Sequence, residues 1–163
     1  MRRYEPVEQV SIRAVRPDDR ERIVKAFRGL DQRSVYLRFF FHKKELKEEE
    51  LRRVTECDGI SEAVLVATVG SGDQEIIVGL ANYVRSGAAA DIAFAVEEDF
   101  QGRGIASRLL QQLADIGRAN GIVRFEADVL AENAPMLAVF RNSGLRMQTS
   151  AGQGVVHATL FLT

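Results

Sequence analysis

Apolar and polar residues alternate along Val10-Ser11-Ile12-Arg13-Ala14-Val15, the period of a half-buried strand. Arg16-Pro17-Asp18-Asp19 then caps a helix that turns Ile23, Ala26, Phe27 and Leu30 inward. Ser34 opens a second helical stretch, Val35 to Phe41, which is apolar all round and so predicts deep burial or the wall of a channel. From Lys43 to Arg53, lysines and arginines mix with glutamates, the pattern of a solvated helix with Leu46, Leu51 and Val54 inward. Strands are expected over Ala63 to Val69 and Glu75 to Val84, joined by the hairpin loop Gly70-Ser71-Gly72-Asp73. After a turn at Ser86-Gly87, Ala90 to Val96 completes an antiparallel meander.

The second half changes period. Ile105, Leu109, Leu113 and Ile116 form one helical stripe, with Arg103, Arg108, Gln111, Asp115 and Arg118 off it. Asn120-Gly121 ends that helix, and Ile122 to Leu130 returns as a strand. After Asn133, Pro135 starts a helix carrying Met136, Leu137, Val139 and Phe140, closed by Ser143-Gly144. Strands near Leu145 to Thr149 and Val155 to Leu162 finish the chain. A strand, helix and strand in succession make a crossover, so the strands ending at Val96 and beginning at Ile122 should lie parallel and adjacent.

The turn inside that crossover, Gln101-Gly102-Arg103-Gly104-Ile105-Ala106, is the most informative stretch. Glycines let backbone approach a bulky anion, and the first N–H groups of the following helix point at it. Arg103 adds a charge for the same anion. Taken alone, these six residues equally suit an ordinary strand-to-helix turn; their place at the carboxyl end of a parallel strand favours a ligand.

Composition narrows the picture. The 163 residues fit one domain, 1–163, with 1–9 expected as a mobile N-terminus. The 22 basic and 23 acidic residues give a net charge of -1, so no global field draws in nucleic acid or an anionic membrane, and neither is expected as a partner. Cys57 is the single cysteine, which excludes an internal disulfide and suits a reducing compartment; no catalytic role is assigned to it. The N-terminus lacks the apolar core of a secretory signal and no run reaches the ~20 apolar residues of a membrane span, so a cytoplasmic location is expected.

Gln101, Gly104 and Ala106 match the signature of the GCN5-related N-acetyltransferases, which is Gln or Arg, two residues, Gly, one residue, then Gly or Ala. The resemblance runs from Val10 onward and includes Asn133, Phe140, Gly144 and Leu145, where relatives commonly have Asn, Tyr, Gly and Phe. It implies an α/β fold with a mixed, mostly antiparallel sheet and a central parallel strand pair flanked by helices. It implies acetyl-CoA as cosubstrate. The backbone of Phe94, Ala95 and Val96 would pair with the pantetheine arm, and the amides of Gln101, Gly102, Arg103, Gly104, Ile105, Ala106 and Ser107 would hold the pyrophosphate. Asn133 and Phe140 would meet the cofactor from the last helix. Ser34-Val35-Tyr36-Leu37-Arg38-Phe39-Phe40, with Met136 and Phe140, is similar to the acetyltransferase domain of bacterial Pat-type protein lysine acetyltransferases. That subset implies a protein lysine as acceptor, for instance on an acyl-CoA synthetase. The nucleotide-binding or acyl-CoA-synthetase-like domains often fused in that subset do not fit in 163 residues, so regulation by an attached sensor is not expected.

Acetyl transfer needs a neutral amine, yet a lysine-like ammonium has a pKa of about 10.4. A carboxylate must take that proton. Asp91 is the first candidate: it lies five residues before Val96, about 17 Å at strand rise, which matches an extended pantetheine arm. Pat-type relatives carry a catalytic Glu at the matching position, so the shorter Asp91 implies a water bridge. Glu97, Glu98 and Asp99 would repel the pyrophosphate and read as solvated loop charges. Glu126 and Asp128 share the polar face of their strand, with Asp128 a reserve base or amine-binding group. Phe140 stands where many relatives use a Tyr as general acid; Tyr36 and Tyr83 are the available substitutes, though each also suits a wall. A CoA thiol, by analogy with a Cys pKa of about 8.5, can leave as thiolate. His42 and His157 show no triad or metal spacing, and no metal is expected. Two other functions fit the same residues: acetylation of a small amine or polyamine, and noncatalytic acyl-CoA binding.

Overall fold

The structure, a computed structural model, describes residues 9–28, 48–97 and 100–163. The expectations for the mobile N-terminus over 1–8, Leu30, the Ser34 to Phe41 stretch, His42, Leu46, Glu98 and Asp99 lie outside these residues, as does the side chain of Phe27. The elements run β1 (Ser11–Ala14), a 3-10 turn (Pro17–Asp19), α1 (Arg20–Arg28), α2 (Glu48–Thr55), β2 (Glu62–Val69), β3 (Ile76–Ser86) and β4 (Ala89–Val96). They continue with α3 (Ile105–Ala119), β5 (Arg124–Leu130), α4 (Ala134–Arg141), β6 (Arg146–Gly152) and β7 (Val155–Phe161).

Among the described residues, seven strands make one sheet in the order β1-β2-β3-β4-β5-β7-β6. Every neighbouring pair is antiparallel except β4 and β5, which are parallel, the outcome expected of a crossover through α3. Ala67 pairs with Gly79 and Thr68 with Ile77, leaving Val78 as an extra residue that bends β3. Every residue of β2 is buried, because helices cover both faces of the sheet there.

One core layer packs the α3 stripe Ile105, Leu109 and Leu113 against Ala81, Tyr83, Ile92, Phe94, Phe125 and Val129. Ile116, the fourth residue of the expected stripe, is only half-buried. The opposite layer packs Ile23 of α1 and Leu51 of α2 against Val66 and Ile77. Gly117 brings α3 down onto the sheet: a Cβ there would stand 3.1 Å from Leu162 and 3.2 Å from Phe125. No helix among the described residues is long and apolar enough to cross a membrane.

Candidate active site

The sheet parts in its middle. β4 pairs with β5 only at Ala89–Arg124, Ala90–Phe125 and Asp91–Glu126, whereas it stays paired with β3 as far as Val96. β5 meanwhile follows β7 from Arg124 to Leu130. Beyond Asp91 the β5-facing edge of β4 therefore has no strand partner, and its backbone groups need hydrogen bonds from elsewhere. They face a cleft of about 410 Å³ lined by Ile92 to Val96, the turn, the start of α3, Ala127 and Val129 of β5, and α4.

At the far end of the cleft lies the turn. Gly102 and Gly104 take φ of +79° and +80°, the left-handed region that favours glycine, and nothing stands within 4 Å of where either Cβ would be. Gly104 caps α3, its carbonyl accepting from the Arg108 amide at 3.0 Å. The amides of Ile105, Ala106 and Ser107 precede the first intrahelical bond and point, with the helix dipole, toward the cleft mouth. Backbone donors plus empty space fit a diphosphate. Gln101 lines the cleft, but its side chain is engaged: Nε2 donates to the Val96 carbonyl at 2.9 Å and braces the loop.

Of the twelve residues expected to touch the cosubstrate, Arg103 alone is not in the cleft lining; its guanidinium stacks 4.8 Å from the Phe100 ring centre. Asn133 lines the cleft and caps α4, its Oδ1 accepting from the Met136 amide at 3.3 Å. Phe140 is buried and meets Phe94 edge-on at 6.0 Å between ring centres. Ala93 and Ala95, on the Asp91 face of β4, both line the cleft, Ala93 buried and Ala95 half-buried.

Asp91 stands one residue before the cleft begins. It is exposed, and its carboxylate has no hydrogen-bond or ion-pair partner among the described residues. Strand register puts it in a row across the sheet, Glu62, Val84, Asp91, Glu126, Thr159 and Gln148, all on one face. Glu126 is well supplied: it accepts from Thr159 Oγ1 at 2.8 Å and Arg124 Nε at 2.9 Å, and lies 2.7 Å from His157 Nε2. Burial works to raise the Glu126 pKa, but these hydrogen bonds outweigh it and hold the carboxyl below its ordinary value. His157 reaches Asp128 Oδ1 with its other nitrogen, also at 2.7 Å, and the two carboxylates raise its pKa.

At the other end of the row Glu62 is 8% exposed, with Arg53 Nη1 3.7 Å from its Oε2, an atom that makes no hydrogen bond. Burial raises the Glu62 pKa against the opposing effects of Arg53 and Asn82. The row and the His157 bridge were missed by sequence reasoning, because only the pairing register brings them together. Tyr83 is fully buried, donating to the Ile60 carbonyl at 3.0 Å and accepting from Asn120 Nδ2 at 2.9 Å, away from the cleft. Cys57 is half-buried, and burial raises its thiol pKa.

A family model described as the acetyltransferase (GNAT) family matches residues 30–145. Over 136 residues the chain is 32% identical to Acetyltransferase Pat of Mycolicibacterium smegmatis, a stretch covering 82% of this chain but 40% of the relative. The chain thus spans less than half the length of that protein. The solved GNAT domain of S. lividans PAT superposes with a TM-score of 0.82 at 31% identity, covering 97% of this chain and 99% of that one. The yncA structure from Salmonella typhimurium, which holds its cofactor acetyl-CoA, shares the fold with a TM-score of 0.71 at 17% identity, covering 93% and 92% of the two chains.

Proposed function

This chain belongs to the GNAT family of acetyltransferases, and we propose that it moves an acetyl group from acetyl-CoA to a protein lysine by direct attack in a ternary complex. One observation carries the reading: the sheet parts immediately after Asp91, so a carboxylate with no partner among the described residues stands at one end of a cleft whose other end is the glycine turn that opens α3. The free edge of β4 suits the amides of a pantetheine arm, which would add to the sheet like a short strand. The turn amides of Gly102 to Ser107 suit the diphosphate.

The thioester then lies near Asp91. The acceptor nitrogen gives a proton to the Asp91 carboxylate, directly or through one water, and its lone pair attacks the thioester carbonyl carbon. As the carbon–sulfur bond breaks, sulfur leaves as thiolate and takes, through water, the second proton that the nitrogen sheds in becoming an amide. Positioned general base catalysis of this kind contributes roughly 10²–10⁴-fold. The likeness of Ser34 to Phe40 to a Pat-type segment supports a lysine acceptor, and an acyl-CoA synthetase is the protein class to try first.

Mass spectrometry of lysate proteins incubated with acetyl-CoA and the enzyme tests the acceptor. New acetyl-lysines are expected with wild type and not with Asp91→Asn. Turnover of a small amine or polyamine panel with no acetylated protein would replace the lysine reading, and acetyl-CoA binding without turnover on either would leave a binding module.

A further inference from the structure

Asp91, Glu126 and Asp128 are carboxylates on one face of neighbouring strands, and they are treated differently. Glu126, its lateral neighbour in the parallel pair, is held by Thr159, Arg124 and His157. Asp128, two residues on, is held by His157. Asp91 is held by nothing among the described residues. Left bare, Glu126 and Asp128 would compete for the incoming ammonium and, as like charges on the next strand, would favour the protonated form of any base beside them. The same imidazole bridges both, with 2.7 Å contacts from each ring nitrogen.

We propose that His157 is a positioning residue for acetyl transfer: bridging Glu126 and Asp128, it keeps both off the acceptor nitrogen and offsets their charge, leaving Asp91 as the free base at the cleft. The inference rests on Asp91 being that base. His157 stands two strands from Asp91, roughly 10 Å, so it acts through the field and through its two partners and does not touch the reacting atoms. Other charges on this face are accounted for among the described residues of the sheet. Arg124 on β5 is spent on Glu126, and Arg146 on β6 stacks 4.0 Å from the Phe161 ring centre. β3 contributes the uncharged Val84 and Asn82, and Glu62 on β2 lies beyond Val84 beside Arg53 of α2.

Removing the bridge and removing its partner push in opposite directions. His157→Gln keeps a hydrogen-bonding side chain without the charge, and the acid limb of the kcat profile, measured with both substrates saturating, should move to higher pH by about 0.5 unit. Glu126→Gln removes a neighbouring negative charge and should move the same limb to lower pH. His157→Lys, which returns a cation, should bring it back toward wild type. A general folding defect cannot produce shifts of opposite sign, and unchanged circular dichroism and CoA affinity verify that each variant is folded. Asp91→Asn separates the two ideas. If the limb persists in Asp91→Asn, Asp91 is not the base and the inference goes with it. If the limb vanishes there but stands still in both His157→Gln and Glu126→Gln, the base is right and the role of His157 is overturned.

Discussion

Asp19 is a carboxylate with a fully buried side chain, which is costly unless every oxygen is satisfied. Oδ1 is reached by Arg13 at 2.8 Å and Arg22 at 3.0 Å, and Oδ2 by Arg13 at 2.8 Å and the Arg16 amide at 2.7 Å. Burial pulls its pKa upward, yet these partners prevail and bring it from 3.8 to about 2. Because the folded value is the lower one, the stability Asp19 contributes is complete above pH 3.8 and is lost as pH falls through 2. Asp19→Asn should cost about 3 kcal/mol, near the low end for a broken buried pair since both arginines keep some water contact, as measured by urea unfolding at pH 7. His157 has the opposite sign: its raised pKa means its contribution is full below the ordinary value of 6.5 and fades as pH rises through the folded one. Asp91→Asn should lower kcat by about 10²–10⁴-fold while acetyl-CoA affinity holds, because the carboxylate adjoins but does not line the cleft. Asp91 is legible as the candidate through strand spacing read together with the family resemblance. His157 is not, since its partners lie 29 and 31 residues away and meet it only through the β5–β7 register.

Within the elements, α3 carries two constraints that a helical stripe does not reveal. Its N-terminus needs Gly104 in the left-handed region, so Gly104→Val should strain the turn by at least about 1–2 kcal/mol and fill the open space above the amides. Weaker CoA binding by calorimetry, together with an unfolding midpoint lowered by a few degrees through the strained turn, is the expected result. Toward its C-terminus Gly117 sits against Phe125, whose ring is fully buried and cannot retreat. Gly117→Val should therefore destabilise by about 1–3 kcal/mol through overpacking, read from thermal unfolding. The stripe itself was legible because Ile105, Leu109 and Leu113 follow helical spacing. The contact at Gly117 was not, because it depends on how closely the helix approaches the sheet. Asn133 shows the same limit: its place before Pro135 marks a helix start, and the structure adds that its Oδ1 is used as the cap.

At the scale of the molecule, the mixed sheet with one parallel pair follows from the order of strands and one crossover, both visible in hydrophobic periodicity. The parting of β4 from β5 is not visible there. Residues 92–96 and 127–130 read as ordinary strands, and only the pairing shows that β4 stays with β3 while β5 leaves with β7. That divergence turns two adjacent strands into a cleft and brings the turn at Gly102 to Ser107 and Asp91 to its opposite ends. The most direct test is a titration of isotope-labelled protein with acetyl-CoA followed by amide chemical shifts. The largest changes should fall on Phe94 to Val96 and on Gly102 to Ser107, with smaller ones at Asp91. No response at millimolar acetyl-CoA, or changes confined to the β6–β7 edge, would contradict the account.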